Sequence, residues 1–510
     1  MNQSGSYSVA KKNQGNADNQ YHLLPESSRN GASVTTKSIT RTGSDTNTST
    51  ERQPFLERHS MEPVRLTPAW EDNNLSDDEL NFKNLTMEQA NLEMHPPKDR
   101  CQIVYFILLL HGIGVLMPWN MFITARSYFV DYKLSKDYTG VSSEYGTYFL
   151  SYVGFASQIP NLAFSWLNVF IRIGGNLTTR ILWSIFIEVV MFVCTIILAM
   201  TDTSSWPAAF FWNTMLIVVI LNMANGIYQN TVFGMGAKLP LRYSGAVILG
   251  SNISGTFVSI IDLLSIALAP NTRTAAIYYF ITALFVLLAC FDTYFALPLN
   301  RFYRYHEYLS TKSEQIIKRE NAGRKNNVPY WTVFKKASPQ LFNVFFVFFV
   351  SLAVFPAMQA AIKKSDPDFF IPDKYYENVM CFLTFNASAM LGSLVSNWIR
   401  WPSPKYLVIP VVLRALFIPF FLFCNFQPTD STRALPVLIH NDWAYWCAGI
   451  LLGFTSGYFS SISMMYTSRT VEPAHAPTAG MFGGAMLVTG IFCGVLFAMI
   501  FPWLVQNVSI

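Results

Sequence analysis

Charged residues are scarce in this sequence of 510 residues, because Asp, Glu, Lys and Arg together make up only 13% of it. That share is about half of what an average soluble domain carries, whereas 51% of the residues are apolar. A soluble chain of this length would form two or three domains, each with a polar surface. The composition cannot supply such surfaces and therefore excludes a purely soluble protein.

Cysteine is also rare, and its spacing argues against two common uses. The seven cysteines form no CxxC pair, so neither a disulfide framework nor a metal site is expected. The sequence has no HExxH motif and no nucleotide-binding P-loop, which argues against a zinc protease and an ATP-driven pump. The basic residues lie between apolar blocks and the net charge is only +5, so no nucleic-acid partner is predicted. We expect no enzyme activity and no cofactor.

Apolar blocks, by contrast, recur along the chain. Each block is about 20 residues long, enough to cross a bilayer core of roughly 30 Å as a helix. The predicted fold class is therefore an all-α polytopic membrane protein with eleven transmembrane helices. The predicted spans are 103–125, 147–170, 181–200, 209–233, 244–268, 276–298, 340–361, 378–398, 406–425, 444–466 and 478–503.

The charges of the loops predict the orientation of these helices. If the N-terminus is cytoplasmic, the inner loops carry twice as many Lys and Arg residues as the outer loops. We therefore predict a cytoplasmic N-terminus and an extracellular or lumenal C-terminus.

Four segments follow from this division. Residues 1–98 are polar, aperiodic and rich in Ser, Thr and Asn, which indicates a disordered cytoplasmic tail. Helices 1–6 occupy 99–298, a basic cytoplasmic loop occupies 299–339, and helices 7–11 occupy 340–510. The loop is interpreted as a solvated linker, with a phosphorylation or partner site as the alternative.

The first span contains an unusual cluster, HGIGVLMPWNMFITA, over residues 111–125. Gly112 and Gly114 allow another backbone to approach closely, and Pro118 frees a backbone carbonyl inside the span. Trp119 and Asn120 place a stacking ring and an amide beside this break. Taken alone, these residues fit either a binding helix or a kinked packing helix whose Asn bonds a neighbour.

This string resembles the first-helix signature of the equilibrative nucleoside transporter family. Other stretches agree with the family in the same order, at 225–234, 250–255, 355–356, 381–386 and 400–402. The resemblance spans about residues 100–503 and implies a major-facilitator-like arrangement of six plus five helices. It also implies equilibrative transport of nucleosides by alternating access, with nucleobases as a candidate second substrate class.

The resemblance further implies which side chains bind the substrate. A base needs aromatic or aliphatic faces and amide edges, while a ribose needs a few polar partners. The implied binding residues are Leu116, Trp119, Asn120, Ile123, Gln229, Phe382, Asn386 and Ile491. Arg180 matches a family arginine of the inner gate, and its alternative reading is an ordinary positively charged loop residue.

One position pair departs from the family pattern. The family usually carries an acid and an arginine three and seven residues after the Asn of span 8, where this chain has Ala389 and Ser393. These residues share one helix face with Phe382 and Asn386. The loss of an acid and an arginine removes charge-assisted hydrogen bonds, which puts ordinary affinity for nucleosides, and purines above all, in question.

Two carboxylates lie inside predicted spans, Glu188 in span 3 and Asp262 in span 5. Buried acids in membranes are costly and are functional candidates by default. Each is a candidate proton or cation site, and each has the alternative role of a hydrogen-bonding partner for a neighbouring helix. The alternative functions are therefore an organic cation or monoamine carrier, a proton-linked carrier and, more distantly, a membrane receptor.

The partners that we expect are a small-molecule nucleoside and the lipid membrane. The predicted location is the plasma membrane, with an endosomal or lysosomal membrane as the alternative because of the long tail. The sequence gives no indication of an oligomeric state.

Overall fold

The computed structural model describes residues 96–125, 128–140, 145, 149–171, 176–268, 272–320, 329–427 and 433–508. The predicted tail lies outside these residues, apart from its last three positions. Within the described ranges the protein is helical, with one isolated antiparallel bridge between Ile362 and Phe426.

The first part of the chain forms six long helices. They are α1 (Ile103–Thr124), α2 (Phe149–Phe170), α3 (Leu177–Met200), α4 (Pro207–Ala237), α5 (Leu241–Leu268) and α6 (Thr272–Ala296). Local chemistry sets some of their starts: Pro207 occupies the first turn of α4, where a missing N–H costs nothing. We call these six helices the first group.

A helix also forms where the sequence predicted a solvated linker. Helix α7 (Arg301–Glu320) occupies half of the predicted 299–339 loop, and the next long helix begins at Tyr330. Phe302 and Tyr303 of α7 are buried, with the Phe302 ring 5.3 Å from that of Tyr243. The sequence did not predict this helix, whose first turn packs against Tyr243 of α5.

The remaining helices form the second group. They are α8 (Tyr330–Val354), α9 (Asp373–Val395), α10 (Val408–Leu422), α11 (Asp442–Thr467), α12 (Ala476–Ala498) and α13 (Ile500–Asn507). Helix α9 is π-helical over Asn378–Leu383. Asn441 caps α11, because its side chain accepts hydrogen bonds from the N–H groups of Trp443 and Ala444.

Nine helices in the described ranges are long and apolar enough to cross a membrane. Two predicted spans are not among them. Helix α10 has only 15 residues, so it rises about 22 Å. Helix α2 has 22 residues but carries several Ser and Asn side chains along its buried face, including Ser157, Asn161, Ser165 and Asn168.

One apolar cluster forms the core of α1–α6 and also takes in Val344, Met464, Leu487 and Val488 of α8, α11 and α12. A second cluster lies within the second group, from Val350 to Val505. Within the first group α1 and α5 approach very closely: a side chain at Gly112 would overlap the backbone of Val247, and one at Gly250 would overlap that of Leu109. The close approach predicted for Gly112 is confirmed.

The two groups meet along two faces. Helix α12 packs against α2 and α4, where Trp166 donates to the Thr489 hydroxyl at 2.9 Å. Helix α5 packs against α9 and α11 on the other face. The predicted substrate-binding residues lie on the helices that form these two faces, together with α1, whereas Arg180 and Glu188 lie on α3.

Candidate functional site

Helix α1 presents its central polar residues toward α5. Leu116, Trp119 and Asn120 are each half-buried, and the Asn120 amide donates to the Ser254 hydroxyl of α5 at 3.2 Å. Trp119 packs against the core of the first group. Ile123 lies in the last turn of α1, but its side chain is outside the described part of the structure. The α1 cluster therefore borders α5 through an amide and an indole ring.

Helix α9 approaches α5 from the second group. The Asn386 amide donates to the Ser259 hydroxyl of α5 at 2.9 Å. Phe382 is half-buried, and its ring stands edge-on to that of Phe355 at 5.7 Å. Thus Asn120 and Asn386 both form hydrogen bonds with α5. Their partners, Ser254 and Ser259, are five residues apart, or about 7.5 Å of helix rise.

Two further contacts extend this line of hydrogen bonds between α5 and α9. Asn252 donates to the Ser393 hydroxyl at 2.6 Å, and Asn378 donates to the Asp262 carboxylate at 2.5 Å. We call the three pairs Asn252–Ser393, Ser259–Asn386 and Asp262–Asn378 the polar seam. Its α5 members are seven and three residues apart, so they lie on one face of the helix.

Ala389 and Ser393 stand where the family usually has an acid and an arginine, and Ser393 is part of the polar seam. Ala389 and Ser393 are buried, at 1% and 0% exposure. Besides accepting from Asn252, the Ser393 hydroxyl donates to the Gly457 carbonyl of α11 at 3.1 Å. The small side chains thus allow α9 to pack against α5 and α11 at once, in a space too tight for an arginine.

Gln229 and Ile491 lie near the other contact face. Gln229 of α4 is 7% exposed, and its neighbour Asn230 donates to the Ser165 carbonyl of α2 at 2.5 Å. Ile491 of α12 is half-buried and packs against the apolar cluster that joins α1–α6 with Leu487 and Val488 of α12. It therefore lies at the edge of the apolar core where α12 meets the first group.

Arg180 is buried at the start of α3, at 5% exposure. Its guanidinium donates to the side-chain oxygen of Asn168 at 3.1 Å and to the Asn168 carbonyl at 3.3 Å. Asn168 belongs to α2, so these bonds tie together two helices of the first group. An exposed loop arginine would not be held in this way.

The two intramembrane acids have different surroundings. Asp262 is half-buried, and one of its carboxylate oxygens accepts a hydrogen bond from the Asn378 amide. A bond to a neighbouring helix was one of the two roles predicted for Asp262. Glu188 is 0% exposed, and neither carboxylate oxygen has a hydrogen-bond partner within the described residues. Sequence reasoning treated the two acids alike, because burial and partners depend on packing.

Among the described residues outside the membrane-spanning helices, Lys133 is the most deeply buried cation. It is 1% exposed, and its ammonium donates to the Thr201 carbonyl at 2.6 Å. Burial, followed by the nearby Arg273, lowers the pKa of Lys133 to about 8, and Asp202 partly opposes this. Hydrogen bonds from Tyr138 and Ser204 lower the pKa of Asp202 to about 2.

Several polar contacts were not foreseen from the sequence. Asn252 and Ser254 of α5 were noted only as part of the family stretch 250–255, and no contact was predicted for them, for Ser259 of α5 or for Thr489 of α12. The sequence feature that could have indicated these contacts is the spacing of Asn252, Ser259 and Asp262, which places them on one face of an otherwise apolar span. No metal-binding cluster of His, Cys, Asp and Glu occurs among the residues whose positions are described.

Long apolar helices in two groups, with amide, hydroxyl and indole side chains half-buried where the groups meet, define a multi-pass membrane carrier. The comparisons with known proteins agree. The family model for nucleoside transporters matches residues 215–503. Equilibrative nucleoside transporter 1 of Homo sapiens is 30% identical over 453 residues, which cover 80% of this chain and 98% of the relative.

Other relatives extend the same likeness. Equilibrative nucleoside transporter 3 of Rattus norvegicus is 29% identical, over 78% of this chain and 90% of the relative. Equilibrative nucleotide transporter 8 of Arabidopsis thaliana is 24% identical, over 78% and 94%. A crystal structure of the human organic anion transporter MFSD10 (TETRAN) covers 80% of the chain with a TM-score of 0.45 and 14% identity.

The chain belongs to the equilibrative nucleoside transporter family. The resemblance seen in the sequence is confirmed, and the family is one of transporters and not of enzymes.

Proposed function

We propose that this protein transports nucleosides across a membrane by facilitated diffusion, through alternating access between the first and second helix groups. The observation that carries the proposal is the position of α5. It bonds Asn120 of the first group through Ser254 and Asn386 of the second through Ser259. A ligand that exchanges these hydrogen bonds would contact both groups at once, as alternating access requires.

The roles proposed for the site residues follow from their chemistry. Trp119, Leu116, Ile123 and Ile491 would supply the apolar faces for the base, together with Phe382. Asn120, Gln229 and Asn386 would supply amides for the base edge and the ribose hydroxyls. Arg180 would act at the inner gate, where its bonds to Asn168 already hold α2 against α3.

The proposed topology has eleven spans in a six-plus-five arrangement, N-terminus in the cytoplasm and C-terminus outside or in a lumen. Its support is the nine long apolar helices with α2 and α10 at the two other predicted spans. The proposed location is the plasma membrane, with endosomal or lysosomal membrane as the alternative. Surface labelling compared with co-localisation to a lysosomal marker decides between them.

The test of the substrate proposal is uptake of radiolabelled uridine and adenosine in cells that lack nucleoside transport and express the full chain. Asn120→Ala and Asn386→Ala should each raise KM about threefold to tenfold, the range expected for one lost hydrogen bond. Asn222→Ala is the matched control, because the Asn222 amide bonds the Val218 carbonyl of its own helix. Surface-expressed protein without saturable uptake of either nucleoside refutes the proposal.

The second candidate is an organic cation or monoamine carrier, which the half-buried carboxylate of Asp262 favours. A bound cation would have to share that carboxylate with the Asn378 amide. Adding a monoamine to the same uptake experiment tests this candidate. Monoamine uptake that Asp262→Asn abolishes, with little uridine uptake, would favour it over nucleoside transport.

A further inference from the structure

Glu188 is an acid in a place that strongly disfavours a charge. It lies in the middle of α3, is fully buried, and has no hydrogen-bond partner for either oxygen among the described residues. An ionised carboxylate in such surroundings costs several kcal/mol or more, whereas the neutral acid costs far less. A side chain that served only for packing would avoid this cost of burial if it were apolar.

A second titratable group is buried in the same helix group. His111 of α1 is 0% exposed, and its Nδ1 lies 2.8 Å from the Tyr228 hydroxyl of α4. Its other ring nitrogen, Nε2, has no partner in the described part of the chain. The rings of Tyr228 and Tyr294 stand edge-on to the imidazole, each at 5.9 Å.

Tyr228 lies between the two titratable side chains, Glu188 and His111. Helix α3 packs against α4 and α6, and the Glu188 carboxyl is close enough to act electrostatically on Tyr228 of α4 and Cys290 of α6. The titratable groups of the neighbouring helices are therefore Tyr228, Cys290 and, through Tyr228, His111. Arg180 on α3 is eight residues away, about 12 Å of helix rise, and is bonded to Asn168.

Gly114 keeps these helices in contact. A Cβ atom at this position would lie 2.7 Å from the Cys290 sulfur and 3.1 Å from the Tyr228 hydroxyl. The glycine of the α1 signature therefore allows the His111, Tyr228 and Cys290 side chains to converge. This is a second, structural reason for a residue that sequence reasoning assigned only to backbone approach.

We propose that Glu188 and His111, with Tyr228 as their shared neighbour, form a proton-binding site that makes transport faster in acid. The inference rests on the proposed nucleoside transport. In the conformation described, Glu188 carries the proton as a neutral acid and His111 is a neutral imidazole. When the first group opens to water, the O–H bond of Glu188 breaks. The proton passes to solvent or, in the tautomer whose Nδ1–H donates to the Tyr228 hydroxyl, to the lone pair of His111 Nε2. Rebinding of the proton restores the dry, neutral packing.

The experiment measures uridine uptake at about pH 5.5 and about pH 7.5 for the full chain and for Glu188→Gln. Uptake by the unmodified protein should be roughly threefold or more higher in acid, because one titrating group can change its protonated fraction by up to about tenfold per pH unit. Glu188→Gln should carry uridine at both pH values at close to the acid rate, since glutamine mimics the neutral acid. Asp292→Asn, at an exposed acid of α6, should keep the pH dependence.

His111→Phe is the second variant, and it decides the matter if Glu188→Gln does not reach the surface. It keeps a ring against Tyr294 but removes the proton acceptor, so the acid stimulation should fall by at least about half. Three results would overturn the proton site: pH-independent uptake by the unmodified protein, an unchanged pH profile in both variants, or surface-expressed Glu188→Gln that transports at neither pH. Absence of uridine uptake in every protein would instead count against the nucleoside function itself.

Discussion

Two buried ionisable side chains, one in each helix group, have opposite surroundings. Arg414 of the second group is 2% exposed and fully bonded: it donates to Thr455 at 3.1 Å, to the Val347 carbonyl at 2.7 Å, and to Ser351 and the Leu452 carbonyl at 2.8 and 3.2 Å. Glu188 of the first group is equally buried but has no partner among the residues described. A satisfied buried charge holds helices in one arrangement, whereas an unsatisfied one favours any state that admits water or a proton.

This contrast predicts a large loss of stability when Arg414 is replaced. Arg414→Leu should lower the free energy of unfolding by about 2–4 kcal/mol, because two carbonyls and two hydroxyls of α8 and α11 lose their donor. The measurement is the thermal midpoint of the purified protein in detergent. Arg469→Leu is the control, because Arg469 is exposed. Equal losses in the two variants would show that the Arg414 bonds do not hold the second group together.

The opposite sign is expected for the acid of the first group. Glu188→Leu should raise the free energy of unfolding by about 1–2 kcal/mol, because an apolar side chain replaces an unpaired carboxyl. The same thermal measurement checks it. A drop comparable to that of Arg414→Leu would mean that Glu188 has a stabilising partner, and the contrast between the two groups would disappear.

Smaller effects are expected at the polar seam between the groups. The Asn252–Ser393 bond should contribute a coupling energy of about 0.5–1.5 kcal/mol in a double-mutant cycle of Asn252→Ala and Ser393→Ala. The cycle is measured on the thermal midpoint and on uridine turnover. Asn222→Ala combined with Ser393→Ala should be additive, and a similar coupling in that pair would show that the cycle does not report the seam.

A pH-dependent effect is expected at Lys133, outside the membrane-spanning helices. Its pKa is lowered from 10.5 to about 8 by burial, so between these values the unfolded state binds more protons than the folded state. Stability should therefore rise with pH across this window. The thermal midpoint of the unmodified protein, compared with that of Lys133→Met at about pH 8 and about pH 10, measures the rise. Parallel shifts in the two proteins would exclude Lys133 as its source.

Sequence reasoning located the long helices closely but not all of the site. The predicted span 103–125 corresponds to Ile103–Thr124, and 147–170 to Phe149–Phe170. The start of α8 was predicted less accurately, at residue 340, whereas the helix begins at Tyr330. Its polar first turns do not have the composition of a membrane span. Asn120 and Asn386 were chosen from family motifs, and no local pattern could show that they bond Ser254 and Ser259 of one helix.

The sequence by itself determined the class of this protein. Apolar blocks of about 20 residues must become helices in lipid, since every backbone N–H and C=O has to be bonded internally. The α1 signature and the other family motifs also identified the family from the sequence alone. Such motifs are recognised along the chain, without knowledge of which helices are neighbours.

Only the tertiary structure decided which polar groups are paired. His111 and Tyr228 are 117 positions apart, and Asn252 and Ser393 are 141 apart. Contacts at such separations depend on the rotation and tilt of each helix, which packing sets and local periodicity does not. Ala389 and Ser393 looked like a gap in the substrate site, yet they fit α9 between α5 and α11. Glu188 and Asp262 looked equivalent, and packing left only one of them without a partner in the described structure.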